Sequence, residues 1–590
     1  MNEFEKFEDW LKNTRNADEE TYAELMSIRD DEDQISDRFY RDLQFGTGGL
    51  RGIMAAGTNR INRYSIGRAA AGLAKFLVNE KQSSSVLSVA IAYDSRINSE
   101  LFARVAAGVL SSYEIQVFLY ESLRPTPQLS FAVRQLKCDA GIVITASHNP
   151  SEYNGFKVYG RDGGQITSEM ATKITEMIRQ LNYFDEVLRI PNENFIQTIG
   201  NDLDEAYYAE VLKLMRSYSV NPSVDIKLVY TPLHGSGNVP VQEVLKRMGF
   251  EQLTIVKSQQ EPDGNFPTVK SPNPENPDVF EHAIVLAKHV GADVIFATDP
   301  DCDRVGVAVL NSEGQYQLLN GNQMGALLIN YITSTRTQIT SRDAVVKTIV
   351  TSSLGASIAK SRGATIVETL TGFKYIGEKI GEFEESGEYD FLFGYEESYG
   401  FLAGTFVRDK DAVIASALIA LMAADAKYRK MTLIDTLNEI QSIHGYYIDH
   451  LESFEFHGQS GAMEILDSVS RFRDFKLLNS KIEDIQSIED FDNQLRTDMI
   501  SGLTSEIILP KENVIKIKFM DQSWVAIRPS GTEPKLKIYY SVYSDNADDL
   551  TRKFVKIKGA VDQILTNNSL NKIENKWCNV KLLDKMQINT

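Results

Sequence analysis

From about residue 85 onward, short apolar runs alternate with longer amphipathic segments. SVLSVAIAYD and CDAGIVITAS are typical of buried strands, and NSELFARVAAGVLSSYEI between them is typical of a helix. The alternation returns in VDIKLVYTPLHG, VPVQEVLKRMG and ADVIFATDPD, and again in AVVKTIVTSS, LGASIAKSRG and DFLFGYEES. Strands that alternate with helices of this length predict βαβ units and largely parallel sheets.

Two flanking regions follow a different pattern. The first 45 residues are charged and favour helix, so we predict an N-terminal helical extension. From Tyr446 onward, SWVAIRPSGTEPKLKIYYSVYS indicates strand, loop and strand, and NADDLTRKFVKIKGAVDQIL indicates a helix, which predicts a smaller α+β domain. The apolar stretch from Ala412, AVIASALIALMAADA, is shorter than the ~18 residues of a membrane span and is typical of a buried helix.

The chain has 590 residues, and a single hydrophobic core stops growing at roughly 250–300 residues. Several domains are therefore expected. The changes of pattern place boundaries near residues 205, 320 and 445, which gives four predicted domains, 1–205, 206–320, 321–445 and 446–590.

Charge and cysteine content narrow the class of protein. The net charge of −19 and the pI near 5.0 disfavour a nucleic-acid partner, because such partners bind basic surfaces. The three cysteines show no CxxC spacing, which favours a reducing compartment, and the acidic N-terminus has no apolar signal-peptide core. We therefore expect a cytoplasmic protein without membrane or nucleic-acid partners, either a monomer or a homodimer.

Three apolar strands run into polar loops, TASHNP, TDPDCDR and GYEESYG, which are the first candidates for chemistry. Ligands of open α/β sheets bind beyond the carboxyl ends of strands, so three such loops facing one another would form one site. In the first loop Pro150 favours a turn that displays Ser147, with His148 and Lys157 close in sequence. Ser147 is a candidate nucleophile or phosphoryl carrier; capping of a turn or helix is an equally good interpretation.

The second loop crowds three carboxylates, Asp299, Asp301 and Asp303, into five residues, followed by Arg304. Like charges this close raise each other's pKa unless a cation neutralises them, and oxygen ligands suit Mg²⁺ or Ca²⁺. The loop does not match an EF-hand well, because its sixth position is Arg304 and not glycine, and its twelfth is Leu310 and not glutamate. The alternative to a magnesium site is a solvated acidic turn.

Two further motifs are weaker by themselves. GYEESYG offers Glu396 and Ser398, whose oxygens suit sugar hydroxyls, although a structural ion-pair network has the same composition. RPSGTEPK joins a guanidinium, two hydroxyls and a glycine, as a phosphate cradle does, and an ordinary hairpin turn is its alternative. The candidate cradle residues are Arg528, Ser530, Gly531 and Thr532.

Two other loops combine a glycine with a cation. Arg51 in FGTGGLRG could reach a phosphate, and an exposed turn arginine fits the same residues. Thr371, Gly372 and Lys374 in TGFK form a similar loop at a strand end. No GxGxxG or GxxxxGK[ST] pattern occurs, so neither a dinucleotide site nor a P-loop is indicated.

Taken together and in this order, the motifs resemble those of the α-D-phosphohexomutase superfamily, which includes phosphoglucomutases and phosphomannomutases. TASHNP resembles its phosphoserine loop, DPDCDR its metal loop, GYEESYG its sugar-binding loop and RPSGTEPKLK its phosphate-binding loop. FGTGGLRG and TGFKYIG are most similar to the long branch of phosphoglucomutases and phosphopentomutases. The resemblance spans nearly the whole chain, and the N-terminal extension departs from shorter members.

The resemblance implies an α/β protein of four domains around a central cleft, three of them similar mixed sheet domains and the last a smaller α+β domain. It implies that Ser147 is phosphorylated and binds Mg²⁺ together with the three aspartates. Arg51 would lie near the reacting phosphoryl group, and Lys410 would assist proton transfer. Glu396 and Ser398 would hold ring hydroxyls, and the RPSG loop would hold the phosphate that does not react.

The implied reaction interconverts glucose 1-phosphate and glucose 6-phosphate through a glucose 1,6-bisphosphate intermediate. Either Lys410 or His148 could be the general base, and the sequence does not choose between them. Phosphopentomutase and phosphomannomutase are alternatives with the same mechanism. A non-catalytic sugar-phosphate-binding homologue would be expected to lack Ser147 or the aspartates, and a phosphatase would release inorganic phosphate.

Overall fold

The computed structural model describes residues 1–46, 48–81, 86–187, 189–218, 225–456, 458–530 and 535–565. The chain divides into two compact units. The first unit comprises Met1–Thr351 and Gly355–Ile440, and the second comprises Ser352–Leu354 and Gln441–Thr590.

Fifteen α-helices precede residue 445 among the described residues. They are α1 Glu3–Thr14, α2 Glu19–Ser27, α3 Glu32–Phe39, α4 Arg63–Glu80, α5 Ser99–Ser112, α6 Thr126–Gln135, α7 Ser168–Arg179, α8 Asn201–Met215, α9 Asn238–Arg247, α10 Glu281–Val290, α11 Gly321–Thr335, α12 Ser353–Ser361, α13 Phe373–Ser386, α14 Ala412–Tyr428 and α15 Leu433–His444. Short 3₁₀ helices occupy Glu193–Phe195, Lys257–Gln259 and Pro277–Phe280.

The strands of the same region form three sheets within the described residues. They are β1 Gly49–Ile53, β2 Ser88–Tyr93, β3 Gln116–Tyr120, β4 Ala140–Ile144, β5 Tyr153–Gly160, β6 Ile196–Ile199, β7 Leu228–Thr231, β8 Leu253–Ile255, β9 Val294–Thr298, β10 Val305–Leu310, β11 Tyr316–Leu319, β12 Asp343–Thr348, β13 Thr365–Thr369, β14 Asp390–Tyr395 and β15 Phe401–Leu402. The strand orders are β1-β5-β4-β2-β3-β6, β11-β10-β9-β7-β8 and β13-β12-β14-β15.

Each of these sheets has a parallel core and one or two antiparallel strands at one edge. The sheets are therefore mixed, as the family resemblance implied, and not largely parallel, as the alternation of strands and helices alone indicated. In each, a parallel strand (β4, β9 or β14) is followed by an antiparallel neighbour (β5, β10 or β15). The connections, residues 145–152, 299–304 and 396–400, are shorter than the dozen or more residues that a parallel crossover requires. The short connections therefore force an antiparallel return, and they are the three candidate loops.

The N-terminal extension is helical, as predicted, and consists of α1 to α3. Asn2, Asp18 and Asp31 cap the three helices by accepting hydrogen bonds from backbone N–H groups of the first turn. The Trp10 ring contacts the rings of Phe39 and Tyr64, with ring centres 5.7 and 5.3 Å away. The extension thus buries an aromatic cluster against the start of α4.

The apolar stretch from Ala412 forms the buried helix α14, as predicted, with most of its side chains in the core. Asp411 caps it by accepting a hydrogen bond from the N–H of Ile414 at 2.9 Å. Among the described residues, no helix combines the length and the apolar character that crossing a membrane requires.

The second unit contains a seven-stranded antiparallel sheet in the order β16-β22-β21-β20-β17-β18-β19. Its core packs helix side chains, among them Val469, Leu478 and Val561, on one face of the sheet, which is an α+β arrangement as predicted. The elements are β16 Tyr446–Glu455, α16 Gly458–Arg471, α17 Phe475–Lys481, β17 Ile485–Asp490, β18 Leu495–Asp498, β19 Thr504–Glu506, β20 Ile515–Phe519, β21 Trp524–Pro529, β22 Lys535–Ser544 and α18 Ala547–Leu565.

We predict that Phe39→Ala destabilises the extension strongly. Phe39 is fully buried and contacts Phe7 and Trp10, so its truncation leaves a cavity that costs about 3–5 kcal/mol. Urea denaturation, followed by Trp10 emission and by circular dichroism, measures the loss. Phe4→Ala is the matched control because Phe4 is 42% exposed, and equal stability of the two variants would contradict the packing described.

Candidate active site

Ser147 lies just after β4, in a strained backbone conformation that buries its side chain near an aspartate. Its φ is +52°, in the left-handed region that non-glycine residues seldom adopt. Only 3% of the residue is exposed, and its Oγ donates a hydrogen bond to Asp299 Oδ2 at 2.8 Å. The Nδ1 atom of His148 lies 3.2 Å from the same hydroxyl. The fold thus brings the candidate nucleophile to the candidate metal loop, 152 residues away in sequence.

The three aspartates form one buried cluster. Each of Asp299, Asp301 and Asp303 has an oxygen within 4.8 Å of the others, and all three residues are at most 1% exposed. The backbone N–H groups of Asp303 and Arg304 donate to Asp299 Oδ1 at 3.1 and 2.9 Å, so the loop folds around its first carboxylate. This burial is incompatible with the alternative of a solvated acidic turn.

The cluster fits a hard divalent cation. The Oδ1 atoms of Asp301 and Asp303 are buried without a hydrogen-bond partner, an arrangement that costs free energy unless another group binds them. Burial, and then the charges of Asp303 and Asp301, raise the pKa of Asp299 well above its usual value. A divalent ion bound by oxygen ligands would remove both penalties.

Two lysines from separate parts of the chain neutralise part of this charge. Lys157 Nζ, on β5, lies 2.7 Å from Asp301 Oδ2, and Lys410 Nζ lies 3.2 Å from Asp303 Oδ2. Burial lowers the pKa of both lysines, but their carboxylate neighbours outweigh it and raise the pKa on balance. Both ammonium groups therefore stay charged and point into the cluster.

Arg51 and Arg304 complete the cationic side of the site, and His148 lies among these charges. Burial, followed by the charges of Arg304 and Arg51, lowers the pKa of His148 well below its usual value, so its imidazole is neutral at pH 7. Arg51 donates to Asn149 Oδ1 at 3.0 Å, next to the Ser147 turn. Arg304 pairs with Glu275 at 2.6 Å.

The GYEESYG loop lies against the aspartate loop. The N–H of Val305 donates to the carbonyl of Tyr399 at 3.2 Å, and Arg304 and Gly400 form an antiparallel bridge. A Cβ atom at Gly400 would overlap the Lys410 side chain, so the glycine lets Lys410 pass into the cluster. Ser398 in this loop is half-buried.

The TGFK loop joins the same region through Glu396. Glu396 Oε1 accepts a hydrogen bond from the N–H of Gly372 at 3.0 Å, and burial raises its pKa to about 7. The hydroxyl of Thr371 is buried without a hydrogen-bond partner. Lys374 Nζ donates to Ser168 Oγ at 3.2 Å. The Glu396 carboxylate of the GYEESYG loop thus contacts the loop that carries the Thr371 hydroxyl.

The candidate phosphate cradle lies in the second unit. Arg528 Nε donates to Glu512 Oε1 at 2.8 Å, and the N–H of Ser530 donates to the carbonyl of Lys535 at 2.8 Å. Gly531 and Thr532 lie outside the described residues.

Several residues contact the site without having been predicted from the sequence. Thr126, at the start of α6, donates through its N–H to the carbonyl of Asp301 at 2.9 Å and through its Oγ1 to Asp301 Oδ2 at 3.0 Å. Asp409 accepts from Lys410 at 3.1 Å, and Asp94 and Arg96 contact the Ser147 turn. The signal for the last two was present in YDSR, which is a polar run at the carboxyl end of an apolar strand.

Comparison with known proteins gives four consecutive family matches. The matching profiles describe phosphoglucomutase/phosphomannomutase alpha/beta/alpha domains I, II and III and the C-terminal domain. They cover residues 42–183, 205–313, 320–443 and 477–556, in that order.

Curated relatives align with most of the chain. A phosphoglucomutase of Staphylococcus epidermidis RP62A is 39% identical over 515 residues, which are 87% of this chain and 92% of the relative. A phosphoglucomutase of Staphylococcus aureus RF122 is 38% identical over 520 residues, covering 88% and 92% of the two chains.

Solved structures share the fold at low identity. The Paramecium phosphoglucomutase pp63/parafusin, in its open form, superposes with a TM-score of 0.67 at 16% identity and covers 90% of this chain and 97% of its own. A putative phosphomannomutase of Thermus thermophilus has a TM-score of 0.65 at 22% identity, with 88% and 99% covered. By its four domains and its relatives, the chain belongs to the phosphoglucomutase/phosphomannomutase family.

Proposed function

We propose that this protein is a phosphoglucomutase that interconverts glucose 1-phosphate and glucose 6-phosphate through a phosphoserine at Ser147. The observation on which the proposal rests is the 2.8 Å contact between Ser147 Oγ and Asp299, inside a carboxylate cluster with two buried oxygens that lack a hydrogen-bond partner. Phosphoryl transfer through the enzyme needs a nucleophilic hydroxyl next to a group of ligands that can bind a metal ion. Relatives named phosphoglucomutase support the choice of glucose as the sugar.

We propose Mg²⁺ as the metal, held by Asp299, Asp301 and Asp303 together with the Ser147 oxygen. Small hard cations prefer oxygen ligands and keep positions free for substrate phosphates. When bound, the ion supplies positive charge that offsets the negative charge of the phosphoryl group. Arg304 follows Asp303 directly, and its pairing with Glu275 holds it beside the cluster.

In the proposed reaction, phosphorylated Ser147 gives its phosphoryl group to the 6-hydroxyl of glucose 1-phosphate. The glucose 1,6-bisphosphate turns around, and Ser147 takes the phosphoryl group from O1, which leaves glucose 6-phosphate. Arg51 and Lys157 would balance the negative charge of the group in transit. A general base must accept the proton of the attacking hydroxyl. Lys410 and His148 are both candidates. His148 is already neutral, whereas Lys410 must first lose a proton, and the carboxylates around it favour its protonated form.

We propose that the other loops recognise the sugar phosphate. Glu396, Ser398 and the Thr371–Lys374 loop offer carboxylate, hydroxyl and ammonium groups that match ring hydroxyls. The RPSG loop would bind the phosphate that is not transferred, through the guanidinium and hydroxyl groups of its members. These members are Arg528, Ser530, Gly531 and Thr532.

The remaining assignments are also proposals. The phosphoserine, metal, sugar and phosphate domains would be residues 1–205, 206–320, 321–445 and 446–590, and the four family matches support this division. We propose a cytoplasmic enzyme, monomer or homodimer, that acts on small sugar phosphates and binds neither nucleic acid nor membrane. Its net charge of −19 supports the exclusion of polyanionic partners.

We predict that Ser147→Ala abolishes turnover and phosphorylation because, among the described residues, Ser147 supplies the hydroxyl that donates to Asp299. A coupled assay for glucose 6-phosphate and intact-mass spectrometry after incubation with glucose 1,6-bisphosphate measure the two effects. Ser151→Ala is the matched control, since Ser151 lies in the same loop and is half-buried. Retained activity in Ser147→Ala would refute the nucleophile assignment.

We predict that Asp301→Asn lowers kcat by more than about 100-fold, because even residues that only orient metal ligands cost 10–100-fold when changed. Excess EDTA should abolish wild-type activity, and added Mg²⁺ should restore it. Asp278→Asn makes the same charge change at an exposed position and serves as the control. Full activity of Asp301→Asn, or no response to EDTA, would contradict the metal site.

We predict the highest kcat/KM with glucose 1-phosphate when glucose, mannose and ribose 1-phosphates are compared. One hydrogen bond to a charged group contributes about 1.5–3 kcal/mol, so the preference should be at least about tenfold. A higher value for mannose or ribose would reassign the enzyme as a phosphomannomutase or phosphopentomutase. Release of inorganic phosphate without an isomerised product would indicate a phosphatase.

A further inference from the structure

A buried ion pair sits directly behind the Ser147 turn. Asp94 and Arg96 follow β2, the strand next to β4, and their side chains are fully buried. Arg96 Nε lies 3.3 Å from Asp94 Oδ2, and the guanidinium stacks on Phe266, 5.0 Å from the ring centre. Because Arg96 is shielded from solvent, it is not placed to touch a substrate.

Arg96 binds the turn through its carbonyl groups. One terminal nitrogen donates to the carbonyl of Ser147 at 2.5 Å and also to that of Asn149. The other donates to the carbonyls of Pro150 at 2.7 Å and Tyr153 at 3.0 Å. A rigid, planar guanidinium with several donors can fix four carbonyls at once, which a lysine ammonium cannot do in the same geometry.

Asp94 binds the same turn from its amide side. Thr145 Oγ1 donates to Asp94 Oδ2 at 2.6 Å and accepts a hydrogen bond from the N–H of Ser147 at 2.7 Å. The other oxygen of Asp94 accepts from Ser99 Oγ at 2.7 Å and from the N–H of Arg96 at 3.0 Å. The ion pair therefore holds both the N–H and the carbonyl of Ser147.

The backbone of Ser147 explains why such a clamp is needed. A serine at φ +52° has a strained backbone, which costs free energy, so this conformation persists only where surrounding contacts hold it in place. Relaxation to negative φ would rotate the Cα–Cβ bond and move Oγ away from Asp299.

We propose that Asp94 and Arg96 are positioning residues that hold Ser147 in the left-handed conformation and so aim its Oγ at the aspartate cluster. The catalytic consequence rests on the proposed phosphoserine mechanism. The positioning itself does not, since it concerns the geometry of the turn alone.

The test compares Arg96→Lys, Thr145→Val and wild type in the full-length protein. Thr145→Val keeps the side-chain shape but removes the hydroxyl that links the N–H of Ser147 to Asp94. We expect kcat to fall about 10- to 100-fold with KM for glucose 1-phosphate unchanged, because the substrate site is intact and only the nucleophile is displaced. The rate at which glucose 1,6-bisphosphate phosphorylates Ser147, followed by intact mass, should fall by the same factor.

Amide hydrogen exchange of residues 145–153 measures how readily the turn opens, independently of catalysis. We expect faster exchange of this turn in both variants. Thr333→Val is the matched control and should leave the exchange unchanged. Thr333 is also buried, and its Oγ1 donates to two carbonyls of its own helix at 2.7 and 3.2 Å. If Arg96→Lys does not fold, the results for Thr145→Val alone test the proposal.

Two results would overturn the proposal. One is wild-type kcat in Thr145→Val, and the other is unchanged exchange of the turn in that variant. Absence of mutase activity in the wild-type protein would instead reject the proposed function. The exchange measurement would still show whether Asp94 and Arg96 hold the Ser147 turn.

Discussion

Three carboxylates packed together and shielded from solvent are the constraint on which the rest of this structure depends. Asp299, Asp301 and Asp303 are almost completely buried, and an isolated buried charge is very costly. Positive charge must therefore reach them from elsewhere in the first unit. Lys157 arrives from β5 and Lys410 from the segment before α14. Neutralising the aspartates thus draws the three strand-end loops to one place.

The sheet topology makes this convergence possible. In three sheets, a short connection turns a parallel strand back into an antiparallel neighbour, so each polar loop projects from a carboxyl strand end. Close packing between the loops then requires glycines. A Cβ at Gly235 would overlap the backbone of Pro300 in the aspartate loop, and a Cβ at Gly400 would overlap Lys410. The loops are shaped by backbone contact as much as by charge.

The N-terminal extension is tied to the same domain. Glu24 accepts hydrogen bonds from the N–H of Ala56 at 3.1 Å, and the N–H of Leu43 donates to the carbonyl of Thr58 at 2.7 Å. The segment that these bonds hold follows the strand of Arg51. The N–H of Met54 in turn donates to the carbonyl of Glu152 at 2.8 Å, in the connection that contains Ser147. The extension therefore supports the segment beside the Ser147 turn and is part of the first unit's packing.

The sequence by itself determined the order of strands and helices, the buried helix from Ala412 and the polar loops, because periodicity and turn chemistry are local properties. It also supplied the motifs by which the family is recognised. Only the tertiary structure decided that Ser147 Oγ meets Asp299 and that Thr126, Asp94 and Arg96 belong beside the site. These features depend on contacts between residues far apart in the chain, and hydrogen-bond partners, burial and the resulting pKa shifts exist only once those residues are packed together.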